Sequence, residues 1–385
     1  MKIVIYEEKQ ELFCPLTNLL PQFGLLIGMK TIAEHVAALF KTSRIDFVSR
    51  SMFGYKPVKS AEKTLYLSGR LLLSRRFSVP RTDSLLKVGN VEVGFVKSSA
   101  PFPKSASEIK DALSTIKGSH QIQGHVIARL WDLIALNEKM IHLHAGMYRK
   151  KSSMVKTPYI CGSRRNLYIA KGAKVHKQVF LDATQGPIYI DDGAEIRPFT
   201  TIIGPSYVGP GTIIERAKIS KSSIGPECRI GGEVEACIFR GFSNKHHDGF
   251  IGHSYVGEWV NLGALTTNSD LKNNYGPVRV SLGKKEHDTG LTKLGCFVGD
   301  HTKLGIGTLI PTGAIIGSFV NFAGGGMMPK SVPDFRWLTV NRDEKYDLQK
   351  AINTARTMMK RRRVRMSERY EQVIRSFHEQ IRRSN

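Results

Sequence analysis

Acidic residues are scarce in this chain. It holds 33 Asp and Glu against 57 Lys and Arg, a formal net charge of +24. That imbalance speaks to partners rather than fold, and it suits nucleic acid, an anionic membrane surface or phosphorylated metabolites. No zinc finger, helix-turn-helix or RNA-binding aromatic signature is present, and the charge is dispersed except near residue 360. Phosphorylated metabolites therefore rank ahead of nucleic acid. Cysteine is also sparse. Five residues, an odd number with no C-x-x-C pair, argue against a disulfide framework and against a cysteine zinc site. No apolar run reaches the length of a membrane span, and "MKIVIYEEKQ" lacks the apolar core of a signal peptide. These absences lead to the expectation of a cytoplasmic protein.

The strongest positive signal is a period of six. Ile190, Ile196, Ile202, Val208 and Ile214 recur at that interval, as do Val298, Leu304, Ile310, Ile316 and Phe322. Ile169, Val175 and Leu181 begin an earlier run. A helix requires apolar residues at three and four, and an alternating strand at two. A strict six, often followed by Gly or Asp, fits a short strand and a corner repeated many times, the hexapeptide pattern of a parallel β-helix. Each unit sends one aliphatic side chain inward, and three units close a coil. Spacing alone leaves the handedness open. The period breaks over residues 233–250 and again over 266–294, and such excursions gather function.

Before residue 145 the pattern is different. "KIVIYE" and "RIDFVSR" read as strands, with "MKTIAEHVAALFK" as a helix between them. "GHVIARLWDLIALNEKMIHLH" reads as an amphipathic helix closing an α/β domain. The basic stretch "RKKSSMVKTP" reads as a linker. After Pro333 the spacing becomes helical: Leu348, Ile352, Ala355 and Met359, then Met366, Tyr370, Ile374, Phe377 and Ile381. Between the two stripes lies the basic run Lys360 to Arg365. A solvated face is the plain reading of that run, and contact with phosphate or a membrane surface is the functional one. The expected organisation is an α/β domain over residues 1–145, a linker over 146–158, a β-helix over 159–335 and a basic helical tail over 336–385.

The stretch "SNKHHDGFIGHSYVGEWVNLGALTTNSDLKNNYG" is polar and carries three histidines within this basic chain. Here the sequence resembles the bacterial bifunctional family that acetylates glucosamine-1-phosphate and uridylylates the product. More closely it resembles the sugar-nucleotidyltransferase branch that lacks the usual glycine-rich loop. "HHDGFIGHSYVGEWVNLGALT" is similar to that family's "GHLTYLGD…VNIGAGT" sugar-site motif. "PKSVP" is similar to its closing Lys-x-Val-Pro. The resemblance covers about residues 160–335, is weaker over 125–142, faint over 10–40, and leaves 340–385 uncovered.

It implies a left-handed β-helix acyltransferase behind a reduced nucleotidyltransferase-like domain. It further implies acetyl-coenzyme A as co-substrate, a sugar phosphate or nucleotide sugar as acceptor, and a homotrimer. His247 falls on the family's catalytic histidine. The family's Asn-Tyr pair falls on Asn274 and Tyr275, and Lys330 falls near the coenzyme. Ser243, His246, His253 and Asn268 are further candidate substrate-binding residues, the two histidines as neighbours to orient His247 or to bind substrate phosphate. A histidine suits a general base because its unperturbed pKa lies near neutrality. The chain also departs from the family. Leu20 stands where the branch shows arginine, and Leu265 replaces the second glycine of "GAG". The first domain has no G-x-G-T-R loop and no Gly-Asp pair for Mg²⁺, which nucleotidyl transfer would require. Nucleotidyl transfer and a non-catalytic nucleotide-sugar scaffold are therefore carried as alternatives. A zinc hydratase of the β-helix type, using His246, His247, His253 and His301, is a further one.

Overall fold

The computed structural model describes residues 1–55, 62–147, 159–283 and 285–384. The expected linker, apart from Gly146 and Met147, lies outside the described residues. The chain divides into two compact units. One comprises residues 1–13, 20–25 and 30–130; the other comprises 14–19, 26–29 and 131–385.

The first unit is built on a six-stranded sheet. Its order is Ile45–Val48, Lys2–Tyr6, Thr64–Ser68, Val91–Lys97, Ser84–Val88, Ser119–Gln121. The first three strands run parallel, Ile3 pairing with Ile45 on one side and Leu65 on the other. Val91–Lys97 is antiparallel to both of its neighbours. Helix α1, Ile32–Phe40, makes the crossover. It starts where Thr31 and Glu34 form a reciprocal capping box, and it buries Ile32, Val36 and Phe40. Helix α2, Ala106–Thr115, buries Ile109 against Tyr66 and Phe95.

The helix expected from Gly124 is shorter. Gly124–Val126 is a strand paired with Leu71–Leu73, and helix α3 runs from Leu130 to Met147. Gly124 sits tightly against the Leu72 carbonyl, which favours pairing there over a helical turn. Contacts place all of α3 but Leu130 in the second unit. There Asn137 Oδ1 accepts from Ser223 Oγ at 2.9 Å, and His144 Nδ1 accepts from the Met29 N–H at 3.0 Å.

The second unit is a left-handed parallel β-helix followed by helices. Every residue of the two runs of five is buried, from Ile190 to Ile214 and from Val298 to Phe322. They stack in one continuous core, rung upon rung. That is how the period of six folds: one aliphatic inward, the chain turning beside it. Residues 233–250, expected to interrupt the coil, do not. Ile214 pairs with Ile230, Ile230 with Lys245, and the strand of Lys245 pairs with that of Leu262. Those steps are about 16, 15 and 17 residues against 18 from Ile196 to Ile214, so corners are shortened while the ladder stays intact. Of residues 266–294, Thr267 and Asn268 still pair with the strand Thr308–Ile310, and those after Asn268 leave the coil. They form an antiparallel hairpin, Arg279–Leu282 with Lys285–Asp288, before the ladder resumes at Phe297.

One line of corners is aromatic. Phe242, Trp259, His301, Phe319 and Phe335 all have left-handed backbones, with φ from 52° to 61°. Their rings stack: Phe242 on Trp259 at 4.4 Å, His301 on Phe319 at 4.8 Å and Phe319 on Phe335 at 4.7 Å. L-residues adopt such φ values reluctantly, and the stacked faces offset the strain. After a terminal hairpin, Arg336–Thr339 with Arg342–Lys345, come helices α4, Leu348–Arg361, and α5, Glu368–Ser384. Their apolar stripes bury Ile352, Ala355, Met359, Ile374 and Phe377.

Candidate functional site

The corner after Asn244–Lys245 carries the histidine pair. Strand residues of this rung alternate, so Asn244 faces out and Lys245 faces the core. Lys245 is 1% exposed and takes the place that Ile230 and Leu262 hold on adjoining rungs. Its ammonium bends to the corner and donates to the His247 carbonyl at 2.6 Å. Burial draws Lys245 down to about 8, with Asp248 opposing that shift. A charge inside an aliphatic stack is costly unless it is hydrogen-bonded, and this bond fixes the backbone of His247.

His246 and His247 are both exposed, with rings 5.4 Å apart. His246 Nε2 lies 3.2 Å from Glu215 Oε2. Glu215 also accepts from Arg197 Nη1 at 3.0 Å, and its carboxyl is held below its usual range chiefly by the His246 hydrogen bond and then by Arg197. His246 is thus tethered to a chain of ion pairs along the corner. The His247 ring has no hydrogen-bond partner among the described residues and faces solvent.

His253 stands at the following corner, one short strand on, with φ of 46°. Its Nδ1 lies 2.7 Å from Asp270 Oδ2. Asn268 is 2% exposed, and its side chain closes the rung below: Oδ1 accepts from the Gly252 N–H at 2.7 Å and Nδ2 donates to the Gly252 carbonyl at 3.0 Å. Gly295 must be glycine here, since a Cβ would lie 2.0 Å from the Gly252 carbonyl. Ser243 is likewise buried; its Oγ donates to the Gly257 carbonyl at 2.8 Å and accepts from the Val260 N–H at 2.9 Å. Ser243 and Asn268 therefore present no free group to a ligand. Asn274 and Tyr275 lie in the excursion, Asn274 accepting from the Gly276 N–H at 3.1 Å and Tyr275 72% exposed. Lys330 is half-buried and three rungs beyond His253, about 14 Å along the axis at the usual strand spacing.

The structure brings His246 and His247 together at one corner and His253 with Asp270 at the next. His301 joins neither. It is buried in the aromatic line, with Nε2 2.9 Å from the Tyr370 hydroxyl, and burial pushes its imidazole well below the usual range. Among the described residues no group of three or more His, Cys, Asp or Glu has metal-binding geometry. The five cysteines are free thiols. Lys245, Glu215 and Asp270 escaped the sequence reading. Lys245 carried a signal, for it lies fifteen residues after Ile230, but only in the register of a shortened coil.

In the first unit the ends of the parallel strands carry both signs: Glu7 and Glu8 follow the central strand, and Arg50 and Arg70 follow the two beside it. Glu7 accepts from Arg50 Nη2 at 3.1 Å and from the Arg50 N–H at 2.9 Å. Glu8 accepts from Arg70 Nη2 at 2.9 Å and from Ser68 Oγ at 2.5 Å. Open α/β sheets bind ligands at this end.

A hexapeptide β-helix preceded by an α/β unit is the architecture these features define. Residues 3–152 match the family model described as sugar nucleotidyl transferase. Over part of its length the chain is similar to bifunctional nucleotidylyltransferase and acetyltransferase proteins. It is 32% identical over 160 residues to the bifunctional sugar-1-phosphate nucleotidylyltransferase/acetyltransferase of Sulfurisphaera tokodaii, covering 38% of each chain. It is 25% identical over 254 residues to the bifunctional protein GlmU of Methanococcus aeolicus, covering 61% of this chain and 53% of that one. The chain thus spans about half the length, or less, of these curated relatives. A solved structure of a putative acetyltransferase from Bacillus cereus aligns at 14% identity and a TM-score of 0.29, covering 54% of this chain and 99% of that one.

Proposed function

We propose that this protein transfers an acyl group, acetyl in the first instance, from a coenzyme A thioester to a sugar phosphate or nucleotide sugar. The observation that carries this reading is His247: an exposed imidazole, free of partners, on a backbone pinned from inside the coil by Lys245. Such a base removes the proton from the attacking amine or hydroxyl as the acceptor bonds to the thioester carbonyl. Collapse of the tetrahedral intermediate expels the coenzyme thiolate, which takes that proton back from His247. His246, tethered to Glu215, positions the pair, and His253 with Asp270 supplies polar groups to the acceptor. Lys330 offers a cation for the coenzyme phosphates. The names of the relatives, which include acetyltransferases, support the same class.

A neighbouring copy completes this site in the proposed homotrimer. Leu265, Ile306 and Met327 are 62%, 72% and 68% exposed at the corners and face of adjoining rungs, an apolar edge suited to another coil. The test is transfer assayed from acetyl-coenzyme A to a panel of amino-sugar phosphates, read by thiol release. No release with any acceptor in wild-type protein that binds the coenzyme would leave a binding scaffold.

The family-model match favours a second reading, nucleotidyl transfer by the first unit. Against it, a nucleoside triphosphate would meet Glu7 and Glu8 with their arginines already engaged. Uridine triphosphate, Mg²⁺ and sugar-1-phosphates, with pyrophosphate release as the readout, decide the matter.

A further inference from the structure

The outward face of the coil holds a cavity beneath α4. Its volume is about 500 Å³, within the range of small-molecule sites. Asn244, Asn261 and Lys303 form its floor, three successive positions of one strand ladder. Asn353, Thr357, Met358, Arg361 and Arg362 form its roof. Among the described residues no carboxylate lines it.

The floor and roof are only partly satisfied by each other. Arg362 Nη2 donates to Asn244 Oδ1 at 2.5 Å, and Asn244 Nδ2 to Asn261 Oδ1 at 3.3 Å. The Arg362 Nε is buried and has no partner. Lys303 Nζ donates to the His301 carbonyl at 2.6 Å and the Trp259 carbonyl at 3.3 Å, which leaves one of its three protons free. Arg361 is exposed at the rim. Arg229, the next residue up the ladder, lies outside the lining and is paired with Glu227 at 3.2 Å, so the positive charge of the cavity is that of Lys303, Arg361 and Arg362. Burial pulls Lys303 down to about 7, so the cavity is an unfavourable place for cations without a counter-charge. Guanidinium forks beside an ammonium and amide donors match the oxygens of a phosphate.

We propose that this cavity is a second ligand site, taking a small molecule that carries one or two phosphate groups. It is distinct from the His247 corner and from Lys330, neither of which lines it. The inference does not depend on acyl transfer.

Calorimetric titration of the full chain at fixed ionic strength tests it, with inorganic pyrophosphate and uridine diphosphate as probes. Binding of either is expected, and tighter binding of uridine diphosphate would show that the ligand is a nucleotide. Arg361→Gln and Lys303→Met should each weaken binding by about tenfold, the usual worth of one charge-assisted contact. Arg361 makes no structural bond, so its variant keeps the test valid should Lys303→Met fold poorly. Lys330→Gln should leave both probes unaffected. Absence of binding by both probes at millimolar concentration would overturn the site, as would affinities unchanged in Arg361→Gln and Lys303→Met. Equal loss in Lys330→Gln, with competition by acetyl-coenzyme A, would overturn its independence. Binding to anionic phospholipid vesicles but to neither probe would reassign the basic surface to membranes.

Discussion

Lys245 donates to the carbonyl of His247 from within the core of the coil, at 2.6 Å. The residue that faces solvent is thus held by one that does not. Its neighbours in the inward column are Ile230 and Leu262, so the ammonium is the exception in an aliphatic stack. Replacement by methionine should keep the fold, because the stem fills similar volume. It should slow acyl transfer through kcat more than KM, since it loosens the base rather than removing a substrate contact. An unchanged kcat would separate Lys245 from the reaction.

The same lysine has a stability signature. Its folded-state value of about 8 lies below the ordinary lysine value near 10.4. Between those limits the unfolded chain holds the extra proton, so stability rises with pH there. Below pH 8 both states are protonated and the destabilisation is constant. The difference in stability between wild type and Lys245→Met should therefore shift toward wild type from pH 8 to 10, by at most about 1.4 kcal/mol per unit. Denaturation at three pH values in that window checks it.

His247→Ala should slow acyl transfer by about 10²–10⁴-fold, the range for a positioned base. Its ring is exposed and unbonded, so melting temperature and coenzyme affinity should not move. His246→Ala should cost much less. Full activity of His247→Ala on the true acceptor would return this corner to a polar turn.

Ile310 is 2% exposed in the inward stack. Ile310→Asp places an unpaired carboxylate there and should destabilise by several kcal/mol, on the order of 3–5. Melting like the parent would refute the inward phase.

Light scattering at micromolar concentration should give a trimer. Met327→Glu with Ile306→Glu, which charge the exposed apolar edge, should shift it to monomer. A monomeric wild type would count against a site shared between copies.

The coil was legible where the spacing was ideal, as at Ile190 or Val298, because one inward residue per six is a pattern nothing else reproduces. It was illegible where corners shorten. Around Lys245 the strands keep their partners while the count between rungs changes, so the ladder survives and the period does not. The histidine pair could be named from the sequence. The roles of Ser243 and Asn268 could not, since a buried hydroxyl or amide that ties two rungs reads like one offered to a sugar. Glu215 and Asp270 were hidden for a further reason: they lie 31 and 17 residues from the histidines they meet.

The tail changes how the coil comes apart. A solenoid unit touches only the units beside it, so its ends can fray rung by rung. Here Arg362 grips the rung of Asn244, the Tyr370 hydroxyl meets His301, and Phe377 lies against Phe335 at 6.0 Å. From Asn244 through Asn261, Lys303 and Asn321 to Trp337 is four strand spacings, roughly 19 Å. A strut across that span ties five rungs into one melting unit. A chain ending at Lys345 should unravel gradually from its C-terminal rungs, with hydrogen exchange fastest at Trp337 and slowing toward Asn244, where the intact protein protects them alike.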